Sequence, residues 1–483
     1  MKKFLSSILL LLITLSVSAY DFMVDELCYN YNSDGSSATV TYKGDGSTGY
    51  GYSSLSGALN IPSSVTYNGA TYSVTSIGEY AFLYCSGLTS VTIPNTVTHI
   101  DEYAFTGCSG LTSFTIPNSV SSIGRYTFEG TPWYNNQPDG LVYAGLVAYK
   151  YKGTVPDGTS ISIREGTKGI AGSCFSGCSG MTSITIPNSV TTIGNYAFFF
   201  CSGLTSVTIP DSVTFIGNYA FSYCGGLTSV TIPDLVTSIS NYVFSYCSSL
   251  TSVTIGNSAT SIGEYAFYQC SGLISVIFGN SVTSIGEYAF FGCSDLTSVA
   301  IPNSVASIGS YAFYSCSSLT SVTIPNSVTS IGEGAFEYCS GLTSVTIPNT
   351  VTSIDYYAFL GCSGLTDIYC MIQTPNQVTL GDDVFYNVPK QSCVLHVPTG
   401  TIGLFKSADQ WKDFLNIIDD IEPTITPGDV NGDGKVNVSD VTALVNMILG
   451  VILKDETTAD VNSDGKINVS DVTALVNIIL GII

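Results

Sequence analysis

Apolar side chains recur along most of this chain at a spacing that belongs neither to a long helix nor to a plain alternating strand. Leu319 to Gly341 reads LTSVTIPNSVTSIGEGAFEYCSG, and the pattern returns as ten 23-residue units that start at Leu88, Leu111, Met181, Leu204, Leu227, Leu250, Leu273, Leu296, Leu319 and Leu342. A fixed period of this length predicts a solenoid of stacked coils. Within one coil Leu319, Val322 and Ile324 turn inward while Ser321 and Thr323 point outward on a short strand. Val328, Ile331, Ala335, Phe336 and Cys339 complete the apolar lining. Pro325-Asn326 ends the strand, Gly332 permits a tight turn, and Ala335-Phe336 is read as a single helical or 3₁₀ turn. One coil owns too little core to fold alone. Stacking buries its side chains against the coils on either side, at roughly 1.5 to 3 kcal/mol for each aliphatic or aromatic residue.

The period fails over 134–180, which is 47 residues long, one more than two units. There Leu141 to Tyr151 predicts an irregular strand pair, with a protruding loop at Asn135 to Gly140. Ile161 to Cys178 then slides back into register. A solenoid must also cover its open ends. Residues 20–73 alternate like a β-hairpin region and serve as the first cap; 366–421, with a Val-Leu-His-Val strand and a helix-like SADQWKDFLNII, serve as the second.

The pattern LxxVxIPxxVxxIGxxAFxxC resembles the BspA-like leucine-rich repeats of bacterial surface proteins, over roughly Ser64 to Gly364. Departures are local: Gly256 and Gly279 replace the Pro, Gly334 replaces a Tyr, and Thr131 stands where Cys is expected. The resemblance implies a protein-binding or adhesive surface.

Composition narrows the partners. Fourteen Lys plus Arg against 36 Asp plus Glu, a net charge of −22, lack the basic face that a phosphate backbone requires, so nucleic acid is excluded as a ligand. Met1-Lys2-Lys3, the apolar run Phe4 to Val17 and the small residues Val17-Ser18-Ala19 read as a secretory signal peptide over 1–19. The rest of the chain shows no run near 18 apolar residues, so no integral span is expected after cleavage. The mature protein is expected to be secreted or displayed at a cell surface.

Export makes the 15 Cys candidates for disulfides. Eleven of them, from Cys85 to Cys362, share one repeat position and would form a ladder at about 4.8 Å per coil. Parallel side chains suit a disulfide poorly, because it needs a near-perpendicular twist. Buried reduced thiols are the favoured reading of the ladder, and Cys370 with Cys393, outside it, the better candidate bridge. One sulfur per coil with no His beside it suits no zinc site.

A second pattern closes the chain. Asp429 to Asp440 reads DVNGDGKVNVSD and Asp460 to Asp471 reads DVNSDGKINVSD. Oxygen side chains at loop positions 1, 3, 5 and 12, with Gly at 6, are what a hard cation with six to eight oxygen ligands requires. One Ca²⁺ is assigned to Asp429, Asn431, Asp433 and Asp440 and another to Asp460, Asn462, Asp464 and Asp471. Lys435 and Lys466 would add backbone carbonyls, and Asn437 and Asn468 would act through water. Each loop leads into an amphipathic helix, with Val441, Leu444, Val445, Ile448 and Val472, Leu475, Val476, Ile479 as the apolar stripes, closed by Gly450 and Gly481. This tail resembles a type I dockerin, which implies docking to a cohesin. Val438-Ser439 and Val469-Ser470 stand where many dockerins carry a Ser/Thr pair.

The expected fold is therefore a β-rich leucine-rich-repeat solenoid with short helical or 3₁₀ turns, followed by a small all-α calcium-binding dockerin-like domain. The divisions are 20–73 for the first cap, 74–365 for the solenoid, 366–421 for the second cap, 422–427 for a linker and 428–483 for the tail. Two His, His99 and His396, and acids that recur at one turn position form no catalytic arrangement, so no enzyme is expected. The candidate ligand face is the row of outward hydroxyls, represented by Ser206, Thr208, Ser229, Thr231, Ser252, Thr254, Ser321 and Thr323. The alternative is that small β-compatible residues simply suit an exposed sheet. A tyrosine ladder through Tyr196, Tyr219, Tyr242 and Tyr265 is the other candidate surface, with half-buried packing as its alternative. The leading function is a non-catalytic adhesion or protein-interaction module; the alternative is a non-catalytic component of a cohesin–dockerin assembly with a polysaccharide ligand.

Overall fold

A computed structural model describes residues 20–44, 52, 55–422, 428–430, 436–450, 459–462 and 464–481. The expected signal peptide and most of the expected linker, 423–427, lie outside the described residues. The chain divides into two compact units, Met1–Leu273 and Ile274–Ile483.

In the first unit, Phe22–Val24, Leu27–Tyr31 and Ser37–Thr41 form an antiparallel meander. Its last strand lies parallel to Ala70–Ile77, and His99–Ile100 and Ser122–Ile123 follow in turn. That is the first cap joining directly onto the coils. Each regular coil contributes to two parallel ladders, one built on its Ser-Val-Thr strand and one on a two-residue Ser-Ile strand. Ser229↔Ser252 through Ile232↔Ile255 shows the first ladder in exact sequence register. The side chains follow the pleat: Val230, Ile232, Val253 and Ile255 are buried while Ser229, Thr231 and Ser252 are exposed.

The turn after the second ladder departs from expectation. It is a run of turns rather than a helical or 3₁₀ turn, and its tyrosines adopt the left-handed backbone conformation, with φ of 57° at Tyr103, 58° at Tyr196 and 58° at Tyr219. A bulky residue at positive φ is costly by itself. The cost is offset by hydrogen bonds that leave the coil: Tyr196 N donates to Asn218 O at 2.9 Å and Phe198 N to Ala220 O at 2.7 Å. A helical turn would keep these amides within its own coil. The observed turn instead ties each coil to its successor, and the phenylalanines stack in a column, with Phe175–Phe198 at 5.3 Å and Phe198–Phe221 at 4.8 Å.

The irregular segment begins with a short helix, Pro132–Asn135, capped by Thr131, whose hydroxyl accepts from Tyr134 N at 3.1 Å. This explains Thr in a cysteine column: the position has become a helix cap. Gly140–Ala144 and Val147–Lys152 then pair antiparallel with a bulge at Val142/Tyr143, as the sequence predicts. Val147–Ala148 lies parallel to Gly169–Ile170, after which the ladder resumes with Thr192–Ile193 and Phe215–Ile216.

The second unit also contains two parallel ladders of these two kinds. Ser298–Val299, Ser321–Thr323, Ser344–Ile347, Asp367–Cys370, Val394–Pro398 and Asn416–Ile421 form one six-stranded parallel sheet. The expected helix in SADQWKDFLNII is reduced to one 3₁₀ turn, Trp411–Asp413, and Asn416 to Ile418 belong to the closing strand. Burial decides this: Trp411 is fully buried against Phe385 and Phe405, and β-branched Ile417 packs inward as the strand completes the sheet. Asp419 and Asp420 place charge on the strand that ends the sheet. In the tail, helices Val438–Ile448 and Val469–Ile479 pack around Val430, Leu444, Met447, Ala459, Val461 and Leu475. Met447 takes an inward place, whereas Val445 and Val476, expected inside, are exposed.

Phe290 is fully buried and stacks on Phe313 at 5.3 Å, whereas Ser298 is exposed on its strand. Phe290→Ala should cost about 3 to 5 kcal/mol in chemical denaturation, and Ser298→Ala under about 0.5 kcal/mol; equal effects would reverse the assignment of inner and outer faces.

Candidate metal loops and binding faces

The second calcium-type loop is described almost completely. Asp460 accepts from Asp464 N at 3.0 Å and from Gly465 N at 2.8 Å, and Asn462 Oδ1 accepts from Asp464 N at 2.9 Å. Gly465 has φ of 81°, so a glycine is required at the sixth position. Asp471, fully buried, spans the loop, accepting from Asn462 N at 3.2 Å through one oxygen and from Asn468 N at 2.8 Å through the other. Asp460, Asn462, Asp464 and Asp471 thus share one loop, with oxygens that accept its backbone amides; carboxylate and amide oxygens are the donor types a hard divalent cation takes, although no group of three acids stands close enough to hold an ion among the described residues. Lys466 N donates to Asp464 Oδ1 at 2.9 Å, which holds the seventh residue against the loop.

In the first loop Asp429 and Asp440 are buried, and Asn437 N donates to Asp440 Oδ2 at 2.8 Å as Asn468 N does to Asp471. Asn431, Asp433 and Lys435 lie outside the described residues. Asn437 and Asn468 have a role the spacing does not reveal. Each caps its helix, with Oδ1 accepting from Ser439 N at 2.8 Å and from Ser470 N at 2.9 Å, in full capping boxes closed by Asp440 and Asp471. Asp471 therefore serves its loop and its helix start together. The two helices also present matching apolar positions to solvent: Val438 and Val469 are each 69% exposed, Leu449 70% and Leu480 66%. Spacings of seven and eleven residues set Val438, Val445 and Leu449 on one stripe of their helix, and Val469, Val476 and Leu480 on the equivalent stripe of the other.

On the repeats, Ser206, Thr208, Ser229, Thr231, Ser252, Ser321 and Thr323 are exposed, and Thr254 is half-buried. A second row of hydroxyls is spent internally: Thr228 Oγ1 donates to Thr205 O at 3.3 Å, Thr251 to Thr228 O at 3.0 Å and Thr343 to Thr320 O at 2.9 Å. The tyrosine ladder is a packed stack. Centroids of Tyr196, Tyr219, Tyr242 and Tyr265 lie 4.7, 4.4 and 4.4 Å apart with interplanar angles of 4°, 9° and 5°, so each ring face within the run is covered by its neighbour. It offers edges and hydroxyls, and no open ring face to a sugar.

All 15 cysteines are buried free thiols. Ladder thiols donate to the phenylalanine carbonyl one coil back, as Cys224 Sγ does to Phe198 O at 3.2 Å and Cys339 Sγ to Phe313 O at 3.1 Å. Burial raises the Cys85 thiol to about 11 and those of Cys270 and Cys339 to about 12, which makes them poor nucleophiles. The expected Cys370–Cys393 bridge is not formed. Asp367 pairs with Val394 and Tyr369 with His396, so Cys370 follows one end of the ladder and Cys393 precedes the other.

His396 is held more firmly than a lone cap histidine. Its Nε2 lies 3.0 Å from Asp367 Oδ1, its Nδ1 3.0 Å from both Asp420 oxygens, and its ring stacks on Tyr369 at 4.4 Å. It clasps three adjacent strands through side chains too distant in sequence for any local pattern to reveal.

Comparison with known proteins accords with this geometry. A model of the BspA type leucine rich repeat region matches in six copies, over residues 58–136, 149–274 and 260–392. The chain belongs to the BspA-type leucine-rich repeat family. The gap in the match falls on the Gly140–Ala144 strand and its approach. A dockerin type I domain model matches 427–480, so this BspA-type protein carries a dockerin domain. Among solved structures, a leucine-rich repeat protein from Bacteroides ovatus is 31% identical, covering 78% of this chain and 100% of its own, with a TM-score of 0.44. A leucine-rich cell surface protein from Faecalibacterium prausnitzii is 26% identical over 74% of this chain and 97% of its own, with a TM-score of 0.31. The pneumococcal vaccine antigen PcpA is 19% identical over 83% and 98%, with a TM-score of 0.39. Comparison with curated proteins finds no match.

Hydrogen bonds first from His396 and then from Thr366 hold the Asp367 carboxyl below its ordinary value. A depressed folded value means that the contact contributes stability above the unfolded carboxyl value of about 3.9, and that this is lost as pH falls through the folded value. Urea midpoints measured from about pH 5 down to about pH 2 should fall less steeply in His396→Gln than in the parent; superimposable curves would remove His396 as the cause.

Proposed function

We propose that this chain is an exported, non-catalytic binding protein. In this reading the repeats take protein ligands on their hydroxyl face, and the tail binds two Ca²⁺ ions and docks to a cohesin. Leucine-rich repeats joined to a dockerin domain are typical of protein interaction rather than catalysis. No helix among the described residues is long and apolar enough to cross a membrane. The observation that carries the reading is the pairing of a family-level dockerin match with a loop that places oxygen side chains at its first, third, fifth and twelfth positions around a left-handed glycine. Asp460, Asn462, Asp464 and Asp471 would hold one ion, with the Lys466 carbonyl and a water beside Asn468. Asp429, Asn431, Asp433, Asp440 and the Lys435 carbonyl would hold the other, with Asn437 in the position of Asn468. The cation's contribution is charge: it neutralises clustered carboxylates and lets both loops close onto their helices.

The hydroxyl face supports protein binding by its regularity. Ser298↔Ser321↔Ser344 repeats one contact at each coil, and Ser206, Ser229, Ser252 and Ser321 have no side-chain partner among the described residues. Incubating the full chain with panels of extracellular proteins and of glycans tests this; retention by glycans alone would overturn it. On the tail, the matched stripes headed by Val438 and Val469 are the surfaces proposed for the cohesin. They are apolar where many dockerins present hydroxyls.

Chelating calcium, or the double change Asp429→Ala and Asp460→Ala, should lower the helical circular dichroism of the tail and abolish capture by cohesins. Capture of ligand by the repeats should persist, since their core contains no metal ligand. Helicity and capture both unmoved by chelation would refute the calcium assignment. Val438→Glu with Val469→Glu should weaken cohesin capture at least about tenfold while leaving calcium-dependent helicity intact, because a buried unpaired carboxylate is costly at an interface. Unchanged capture would place the docking surface elsewhere.

A further inference from the structure

The repeat is not equally regular along its length. At the position of Ser330, every regular coil from Ser238 to Ser353 carries Ser, whereas the earlier coils carry His99, Ser122, Gly169, Thr192 and Phe215. Two positions after His99 the chain has Asp101, where Gly124, Gly194 and Gly217 stand in other coils. These departures converge on one place. A cavity of about 460 Å³ is lined by His99, Asp101 and Glu102 from the coils before the irregular segment and by Asn195 and Phe215 from those after it. A second, of about 360 Å³, shares His99 and Asp101 and continues to Asp34 and Thr75.

The irregular segment creates this opening. Ser122–Ile123 ends its sheet, because Val147–Ala148 occupies the place beside Gly169–Ile170 that a preceding coil would otherwise fill. The coils on either side meet instead through Gly172 N donating to Ile123 O at 2.9 Å and Thr192 Oγ1 donating to Ser121 O at 2.8 Å. Gly169 is obligatory at the junction, since a Cβ there would stand 1.9 Å from Ser121 O. Gly124, Gly172 and Gly194 also line the cavity, so no side chain from those positions fills it.

The charges in the groove are unequally matched. Glu102 is paired with Arg125 Nε at 2.6 Å and receives Asn195 Nδ2 at 3.3 Å, and the guanidinium lies over Tyr196 at 4.9 Å. Asp34 is occupied by the amides of Ser36 and Ser37. Asp101 has no ion pair or side-chain hydrogen bond among the described residues. Desolvation around its carboxyl, with the Glu79 and Glu102 charges, raises it, and His99 opposes this. His99 Nδ1 is taken by Thr98 Oγ1 at 2.7 Å, while Nε2 has no partner among the described residues. Phe215, 49% exposed, provides an apolar surface from the coils after the irregular segment.

We propose that this groove binds an extended polypeptide segment bearing a basic side chain, with Asp101 receiving its cation and Phe215 covering an apolar residue further along. His99 and Phe215 lie on coils from either side of the junction and line one cavity, so an extended segment laid along it meets both. The groove is acidic in a chain of net charge −22, and Asp101 is the carboxylate in it without a matching group, so a cation is the complementary ligand. This surface is separate from the hydroxyl face, and the inference stands or falls independently of that reading.

Fluorescence anisotropy of a labelled octapeptide of alternating lysine and alanine, titrated with the full-length protein, tests the assignment. Saturable binding is expected, weakened about tenfold or more by Asp101→Asn and by Asp101→Gly, the second of which restores the repeat residue. Phe215→Ser, which also restores the repeat residue, should weaken it as well, and Ser321→Ala should not. Absence of saturable binding would overturn the proposal. So would equal binding by all variants, which would indicate diffuse attraction to an acidic protein. Displacement by 1,5-diaminopentane at concentrations equal to the peptide's would also overturn it, by assigning the groove to small amines.

Discussion

The structure depends on hydrogen bonds that leave one coil for the next. A 23-residue coil has too few apolar side chains to enclose itself, so its stability must come from its neighbours. The left-handed tyrosine in each turn is how the backbone arranges this, sending Tyr196 N to Asn218 O and Phe198 N to Ala220 O instead of closing a helical turn. The same geometry brings like residues into columns. Phenylalanines stack inside, tyrosines stack at the turn, and each ladder thiol finds the carbonyl of the phenylalanine one coil back. The cysteines are therefore packing and hydrogen-bonding groups, and burial keeps them unreactive.

Register also separates hydroxyls that hold the fold from those that face outward. Thr228 and Thr251 use their hydroxyls on carbonyls one coil back, while Ser229 and Ser252, one residue later, are exposed. A coil that loses one of the first kind weakens its ladder, and a coil that changes one of the second kind alters only its surface. Variation on the outer row is thus structurally inexpensive. Ile277 shows this, exposed where other coils carry Thr.

Where the period breaks, the molecule acquires features that the repeats lack. Val147–Lys152 takes a place in the ladder, the sheet ending at Ser122–Ile123 is displaced from Gly169–Ile170, and a groove opens between side chains from four coils. The tail uses duplication differently. Its two loops repeat after 31 residues, and the acid at the twelfth position of each closes the capping box of its helix.

The solenoid, the inward and outward strand positions, the hairpin of the irregular segment and the dockerin domain were legible in the sequence. Each is set by short-range periodicity or by a ligand spacing within one turn of chain. The sequence alone did not determine the left-handed turn, because the bonds that repay Tyr196 come from the next coil. Nor did it determine the exposure of Val445 and Val476, which depends on how two helices meet, or the strand that replaced the expected helix at Asn416, which depends on a sheet awaiting its last member. The Cys370–Cys393 bridge failed for the same kind of reason: strand register, not proximity in sequence, sets the two sulfurs at opposite ends of a ladder. Tertiary structure decided the His396 clasp and the Asp101 groove as well, since each brings together side chains more than twenty residues apart, and only the stacking of coils places them within reach.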